Sequence, residues 1–410
     1  IPYINDKNIS EFDQLSQEFD QMKDIIQMYQ IKHSNNALFK INQELKSKLN
    51  IQKKIIQNKS KIYSQIISII FQNLSNGTYS QFLKNIRFFY SYSVGGDVES
   101  IDLLTRKRIT QNNSTFILNE KEKTAILSNC SVGKNVEIPK SVSYKSQEYI
   151  ITNISALCFR KQFLSHLDLS LNTSLQVIGD KAFFKSRIKE ISIPSSVILI
   201  GKSAFSDTDF LTKVNFSEDS KLELINEYAF DKSSIKSLSI PSNVAELKEG
   251  WCKNTPNLTD VKVMKNNKFF LNYDKNIIVR KSFEENDQFD ILAFCNRDAK
   301  EITIPSFIKK IEPYAFNDCK NLKKIIFSEN SELRLIEKFA FANSSIEEIS
   351  VPSKVIKIGE RCFIDCVNLK KVNFDEKSEL KIIENEAITN TKIEDFYIPS
   401  NVSYFTKDCF

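Results

Sequence analysis

The sequence is poor in the two residue types on which most recognisable active-site motifs depend. It has 8 glycines and 2 histidines among 410 residues, and it contains no Walker loop and no Rossmann glycine run. A catalytic serine or cysteine would need a histidine as its base, and the candidate is His166, on a predicted strand beside Asp168. A histidine and an aspartate two residues apart on an exposed strand are more often an ordinary surface pair. Because a zinc site needs four ligands at defined spacing, two histidines in different predicted domains do not suggest one. We therefore expect no catalytic, cofactor-binding or metal-binding residues, and no enzyme.

The sequence also lacks an excess of charge of one sign and any long apolar run. Its 57 basic and 51 acidic side chains are nearly balanced, whereas a nucleic-acid-binding protein should cluster basic residues on one face. No apolar run reaches the roughly 20 residues that span a bilayer, and no signal peptide is visible at the start. We therefore expect no nucleic-acid partner and no direct membrane insertion. Because the chain begins at Ile1 without methionine and ends inside a repeat, we interpret it as a fragment of either a cell-surface or a cytoplasmic protein.

Cysteine is present but thinly spread. The 8 cysteines are distributed along the chain, which argues against a scaffold built on disulfides. Three of them, Cys158, Cys362 and Cys409, immediately precede a recurring phenylalanine, at a position where other repeats carry alanine. A thiol that replaces alanine in a packed column acts as a small core residue. We therefore expect structural cysteines.

Residues 1–94 carry a helical pattern. Apolar side chains recur there at steps of three and four, which places them on one helical stripe: Phe12, Leu15, Phe19, Met22, Ile26 and Tyr29. This pattern predicts a small helical bundle or a cap on the following domain. The alternative is a pair of helices through which the chain self-associates. Gly95-Gly96 then marks a boundary.

From about residue 100 the sequence is a repeat, the signature of a solenoid. A phenylalanine anchors the successive units: Phe159, Phe183, Phe205, Phe230, Phe316, Phe341, Phe363 and Phe410. The steps within each group are 22 to 25 residues, and Cys252 and Ile388 occupy two missing phenylalanine positions. A short and a long unit, of 22 and 25 residues, together span 47 residues. The step from Cys252 to Phe316 is 64 residues, so this pair of units carries 17 extra residues. We place this insertion within 267–300.

Each unit contains one strand pattern. In the unit 346–363, Ile349 and Val351 alternate with polar residues, as the two faces of a strand require. In short units a proline follows and ends the strand. Since one unit cannot bury its apolar face alone, stacked units predict a parallel sheet on one side of a continuous core. Ten strands are predicted, with starts at Leu164, Ile188, Leu211, Ile235, Leu258, Ala299, Leu322, Ile346, Leu369 and Ile393.

The units resemble the BspA-like leucine-rich repeats. The residues that carry the resemblance are ISIPSSVILIGKSAF (191–205), LSIPSNVAELKEGWC (238–252) and ITIPSFIKKIEPYAF (302–316). The resemblance implies a leucine-rich-repeat β-solenoid over 161–410, with 100–160 as its β-rich N-terminal cap. Together with the helical region 1–94, the predicted fold class is α+β. Members of the family include cell-surface antigens that bind host or matrix proteins, so the resemblance implies an interaction protein without catalytic residues.

The outward strand positions form the predicted partner-binding surface. One column alternates in sign, so stacked neighbours can pair, and the next column holds two large apolar groups. The predicted partner-binding residues are Lys324, Glu348, Lys371 and Asp395 in the first column, with Ile326, Tyr397 and Lys262 in the second. In the insertion, Ile277–Val279 and Ile291–Phe294 predict a hairpin that extends this surface. Alternatively, the hairpin only covers the core and the strand face is inert.

Two functions follow from the sequence. The first is recognition of a protein partner by a surface protein of the adhesin type. The second is an intracellular structural or cytoskeletal scaffold that assembles through residues 1–94 and docks through the solenoid. An enzyme is a distant third, and no feature of the sequence names the partner.

Overall fold

The fold of the described chain is entirely β. A computed structural model describes residues 107–130, 135–164, 166–283 and 287–405, and these residues form 27 strands and no helix. The predicted α+β fold class is therefore wrong for them: they form a β-solenoid with parallel sheets. The helical pattern behind that prediction lies in 1–94, outside the described residues. Within the described ranges, nothing helical is long and apolar enough to cross a membrane.

Strands and tight turns fill each unit, and this leaves no length of chain for a helix. The strands of the N-terminal cap are β1 (Arg108–Gln111), β2 (Ser114–Asn119), β3 (Thr124–Cys130), β4 (Asn135–Glu137), β5 (Ser141–Tyr144) and β6 (Gln147–Ile154). The long strands of the units are β7 (His166–Asp168), β9 (Glu190–Ile193), β11 (Lys213–Phe216), β13 (Ser237–Ile240), β15 (Asp260–Val263), β19 (Glu301–Ile304), β21 (Lys324–Phe327), β23 (Glu348–Val351) and β25 (Lys371–Phe374). Each long strand follows one of the predicted starts from Leu164 to Leu369, and among the described residues no long strand follows Ile393.

A second, short strand completes each unit. These two-residue strands are β8 (Val177–Ile178), β10 (Leu199–Ile200), β12 (Leu224–Ile225), β14 (Glu246–Leu247), β20 (Lys310–Ile311), β22 (Leu335–Ile336), β24 (Lys357–Ile358), β26 (Ile382–Ile383) and β27 (Tyr404–Phe405). The insertion adds β16 (Phe270–Asn272), β17 (Ile277–Arg280) and β18 (Ile291–Cys295). The solenoid therefore has a second line of parallel strands, each of which ends on an apolar residue such as Ile358.

The insertion divides both lines of strands into two sheets. Long strands pair in parallel in the orders β15-β13-β11-β9 and β19-β21-β23-β25. Short strands continue the cap in the order β6-β8-β10-β12-β14, and after the insertion they follow the order β18-β20-β22-β24-β26-β27. The apolar side chains between the two lines form the core of every unit.

Stacked phenylalanine rings run through this core. From Phe159 to Phe230, successive ring centroids lie 5.0, 4.9 and 5.4 Å apart and the rings are nearly parallel. From Phe316 to Phe363, the separations are 4.8 and 5.3 Å. All the rings are fully buried, and each buried ring stabilises the fold by roughly 1.5–3 kcal/mol. Within each of these two runs, one phenylalanine per unit thus joins successive units into a column.

A buried arginine fills the gap between the two phenylalanine runs. Cys252 and Cys295 stand in the anchor positions there, since Cys295 N donates to Ala315 O at 3.0 Å as the anchor phenylalanines do to their neighbours. The Arg297 side chain is 1 % exposed and its guanidinium lies 4.6 Å from the Phe294 ring centroid. Its Nη1 donates to Ala315 O at 2.9 Å. The planar guanidinium and the Phe294 ring therefore occupy space that two anchor rings fill elsewhere.

The corners of the solenoid require left-handed backbone. One corner carries asparagine or aspartate in the later units, and these residues tolerate positive φ: Asn254, Asp318, Asn343, Asp365 and Asn390. At the preceding corner, Gly250 has φ of +62°, and a Cβ there would lie 2.6 Å from Tyr228 Cε1. Glycine is needed at this corner because the tyrosine ring occupies the space of a side chain.

Candidate protein-binding face

The long strands present one buried and one exposed set of side chains. In β23, Glu348 and Ser350 are exposed, whereas Ile349 and Val351 are buried. The same alternation holds in β9 and β19. We define the outward face as the first and third residues of the long strands. Because these side chains do not contribute to the core, their identity is free to serve recognition.

The first column of the outward face alternates in charge. Lys324 is in register with Glu301 on one side and with Glu348 on the other, and Glu348 is in register with Lys371. The structure therefore brings together three predicted residues, Lys324, Glu348 and Lys371, at neighbouring positions of one sheet. An ion pair stands one residue earlier, where Lys323 Nζ lies 3.9 Å from Glu347 Oε1. Exposed pairs of this kind contribute about 0–1 kcal/mol, so the column favours the observed register more than it stabilises the fold.

The second column of the outward face is mainly a ladder of small polar side chains. Asn373 Nδ2 donates to Ser350 Oγ at 3.3 Å, and Asn215 Nδ2 donates to Ser192 Oγ at the same distance. Predicted residue Ile326 stands in this column opposite Thr303 and is half-buried. The column therefore offers hydrogen-bonding groups on a rigid backbone, with one apolar side chain among them.

The remaining predicted residues lie apart from this cluster. Lys262, in β15, is exposed, and its Nζ lies 3.0 Å from Asp260 Oδ1. Asp395 and Tyr397 follow the last long strand and belong to no strand, although both are exposed and Tyr397 is 70 % exposed. The strand register thus does not bring Asp395 and Tyr397 into the columns in which the sequence placed them.

The predicted hairpin is confirmed, but it joins the short strands. β17 pairs with β16 and β18 in antiparallel fashion, and β18 then pairs in parallel with β20. At the edge of β15, Asn272 Oδ1 accepts from Val263 N at 3.1 Å and Asn272 Nδ2 donates to Val263 O at 3.2 Å. Asn296 Oδ1 accepts from Val261 N at 3.1 Å. Side-chain amides therefore satisfy the strand edge where the outward face is interrupted.

The cysteines of the described chain are buried, and they are free thiols with no disulfide between them. Burial raises the pKa of Cys252 to about 12 and that of Cys366 to about 11, although Arg297 opposes the shift at Cys252 and Ser344 opposes it at Cys366. Both thiols are therefore protonated at neutral pH and poor nucleophiles. In the described segments, no three histidine, cysteine, aspartate or glutamate side chains are placed to hold a metal ion.

The sequence interpretation missed one group of exposed residues. Phe163, Arg187 and Phe210 each stand directly before the first buried apolar residue of a long-strand segment. Phe163 is 68 % exposed and Phe210 is 46 % exposed. Aligning this position across the units would have shown two phenylalanines and an arginine where the later units carry serine, asparagine, aspartate and, before Ile393, lysine.

Comparison with known families supports the repeat assignment. A family model described as the BspA type leucine rich repeat region matches residues 152–274 and 288–410, in six copies. The predicted resemblance is therefore confirmed. No curated protein sequence matches the chain.

Solved structures of bacterial proteins are similar to this chain. The pneumococcal vaccine antigen PcpA aligns with a TM-score of 0.50 at 21 % identity, over 72 % of this chain and 92 % of that chain. A leucine-rich cell surface protein from Faecalibacterium prausnitzii aligns with a TM-score of 0.49 at 18 % identity, over 75 % of this chain and 92 % of that one. A leucine-rich-repeat protein from Bacteroides ovatus gives 0.48 at 17 % identity, over 72 % and 89 %. At these identities the likeness concerns the fold alone.

Proposed function

Since the chain belongs to the BspA-type leucine-rich-repeat family, we propose that it recognises a protein partner through the outward face of its long strands. The observation that carries the proposal is the separation of roles along each strand. Inward residues such as Ile349 and Val372 are buried in the core, while Ser350 and Asn373 face outward. Stacking units in register turns these outward positions into a rigid surface about 5 Å per strand wide.

The chemistry of the outward face suits a protein better than a polyanion. Its first column alternates lysine and glutamate, and its second column carries serine, threonine and asparagine. These side chains offer charged and neutral hydrogen-bond donors and acceptors, as protein interfaces require. A phosphate backbone would instead favour a run of lysine or arginine. We therefore expect partner binding that depends on shape and hydrogen bonds more than on net charge.

The proposed setting is the cell surface, in an adhesin-like role. This setting is supported by the fold shared with PcpA, which is a vaccine antigen of a bacterium. An intracellular scaffold is the second candidate. The described cysteines favour it, since all of them are free and disulfides form and persist mainly in the oxidising surroundings of secreted proteins. Locating the tagged full-length protein in its cell separates the two.

The test of the binding face is partner capture with three full-length baits. One bait is unchanged, and the second carries Ser350→Arg with Asn373→Arg, which adds bulk and charge to the second outward column. The third carries Asn385→Arg with Ser403→Arg, which adds the same charge at exposed positions outside the long strands. We expect the second bait to lose the partner and the third to retain it. Equal recovery by all three would show that binding uses another surface.

A further inference from the structure

A cluster of cations and aromatic rings stands on the ridge of turns that leads into β7, β9 and β11. Its members occupy equivalent positions in consecutive turns, and we call them the basic–aromatic patch: Arg160, Phe163, Phe184, Lys185, Arg187 and Phe210. The six members of the patch include three cations and no carboxylate. Over residues 159–210, which contain the whole patch, there are seven basic and five acidic side chains, and the acidic Asp207 and Asp209 stand close to Phe210 in sequence.

The centre of the patch is a guanidinium between two exposed rings. The Arg187 guanidinium carbon lies 4.5 Å from the Phe163 ring centroid and 5.5 Å from that of Phe210. The backbone beneath is fixed, because Arg187 N donates to Gln162 O at 3.0 Å and the next residue, Ile188, is fully buried. Contacts of this kind hold a cation over a ring with about 0.5–1 kcal/mol each at exposed sites. The two contacts therefore favour the observed position of the guanidinium and lower the cost of ordering it when a partner binds.

A second row of the patch repeats the arrangement. The Arg160 guanidinium carbon lies 5.9 Å from the Phe184 centroid, and Lys185 Nζ lies 5.3 Å from it. Arg160 and Phe184 each stand three residues before a member of the first row, on the same turns. Both rows of the patch thus place cations over aromatic rings, with Phe184 half-buried and Phe163 and Phe210 exposed.

The hydrogen-bonding edge of Arg187 is unused within the described chain. Its guanidinium makes no ion pair with another described residue, and its contacts there are the two rings. Two half-buried arginines of later units are instead paired: Arg334 Nη1 lies 2.6 Å from Glu379 Oε2, and Arg361 Nη2 lies 2.6 Å from Glu386 Oε1. A guanidinium carries five N–H donors in its plane. Because the contacts of the Arg187 guanidinium are with ring faces, its N–H donors are available to a ligand.

We propose that the basic–aromatic patch binds an acidic segment of a partner protein. A carboxylate of that segment pairs with the Arg187 fork, whose geometry matches it in bidentate fashion, and apolar side chains next to the carboxylate cover Phe163 and Phe210. Charge complementarity selects an acidic partner, and the large exposed ring area selects one with apolar residues beside the charge. The cations are confined to the first turns, whereas a nucleic acid would need a longer basic stripe.

This surface is separate from the outward face and is tested separately. The full-length chain is titrated into a fluorescent twelve-residue peptide in which aspartate and glutamate alternate with phenylalanine and leucine, and anisotropy is measured. Three further probes are a peptide with asparagine and glutamine in place of the acids, an acidic peptide with serine in place of the apolar residues, and a single-stranded oligonucleotide of equal charge. We expect the acidic–apolar peptide to bind at least tenfold more tightly than each of the other three.

The variants identify the residues. Arg187→Gln and Phe163→Ala with Phe210→Ala should each weaken the acidic–apolar peptide by about tenfold or more, as for truncated interface anchors. Arg187→Lys should restore little, since an ammonium lacks the planar fork. Arg334→Gln removes one arginine charge elsewhere and should leave affinity unchanged. Three results would each overturn the proposal: an oligonucleotide that binds as tightly as the acidic–apolar peptide or more tightly, an Arg334→Gln variant that loses as much peptide affinity as Arg187→Gln, or an Arg187→Gln variant with full peptide affinity. None of them depends on whether the outward face captures a partner.

Discussion

At the scale of single residues, the anchor phenylalanine and the small residue before it have opposite tolerances. Phe363 stacks on Phe341 at 5.3 Å and is fully buried. Cys362, also fully buried, stands where other units carry alanine, such as Ala340 before Phe341. The unit therefore accepts alanine at one of these adjacent positions and needs a large ring at the other.

Phe363→Ala should lower the free energy of unfolding by about 3–5 kcal/mol, because it removes a buried ring and leaves a cavity in the column. Cys362→Ala should lower it by less than about 1 kcal/mol. Denaturant unfolding of both variants beside the unchanged chain provides the measurement. A greater loss in Cys362→Ala would mean that the alignment of the units is wrong by one position.

The stability of the protein also depends on a buried carboxylate, that of Asp318. Asp318 is 4 % exposed, accepts from Asn343 Nδ2, and has its Oδ2 buried without a hydrogen-bond partner among the described residues. Burial raises the pKa of Asp318 above its usual value, although Arg297 and Asn343 oppose the shift. When a carboxyl group has a higher pKa in the folded chain than in the unfolded chain, the folded protein binds the proton more tightly. The resulting stabilisation is fully present below the unfolded-state pKa and is lost as the pH rises through the folded-state pKa.

Asp318→Asn should therefore make the protein more stable at pH 7, and the difference should shrink as the pH falls toward 4. Asparagine fits the corner, because Asn343 and Asn390 hold it at similar positive φ. Asp365→Asn is the matched control, since Asp365 stands at an equivalent corner with φ of 59° but is exposed. Thermal unfolding midpoints across this pH range decide the matter, and a destabilised Asp318→Asn at pH 7 would show that the carboxylate is needed as a partner for Arg297.

At the scale of elements, the sequence was informative where alternation extends over several residues. The pattern around Ile302 and Ile349 predicted long strands, and the two apolar stretches of the insertion predicted a hairpin. The short strands were missed because two residues, as in Lys357–Ile358, cannot show alternation. The role of Asn272 and Asn296 at the edge of the outward face was missed as well. Asparagine is common in turns, and these two side chains reach β15 only because of the way the insertion folds.

Asn296→Ala should test the role of these amides. It would leave Val261 N and Lys275 O without the partners that Asn296 provides at 3.1 and 2.6 Å. Buried groups that lose a partner cost about 1–3 kcal/mol, so we expect a loss of that size together with faster amide exchange at Val261. Asn215→Ala removes an exposed amide from the outward face and should change stability by less than about 0.5 kcal/mol. Equal effects of the two variants would contradict a closing role for Asn296.

At the scale of the whole molecule, the repeat made the solenoid and its family predictable, but not the fold class. A single unit has too little apolar surface to fold alone, so the periodic phenylalanines could only be buried by stacking. The α+β prediction rested on the stripe that includes Phe12 and Phe19, and these residues lie outside the described ranges. Placement of the predicted binding residues succeeded where strand register fixes them, as for Lys324 and Glu348, and failed for Tyr397, where the strand pattern ends.

The measurement that most directly tests protein recognition by the outward face is site-specific photo-cross-linking of the full-length chain to its captured partner. Benzoylphenylalanine placed at Ser350, in the second outward column, should give a covalent adduct with the partner. The same group at Asn385, exposed but outside the long strands, should give none. Adducts from Asn385 in the absence of adducts from Ser350 would contradict the assignment of the binding face.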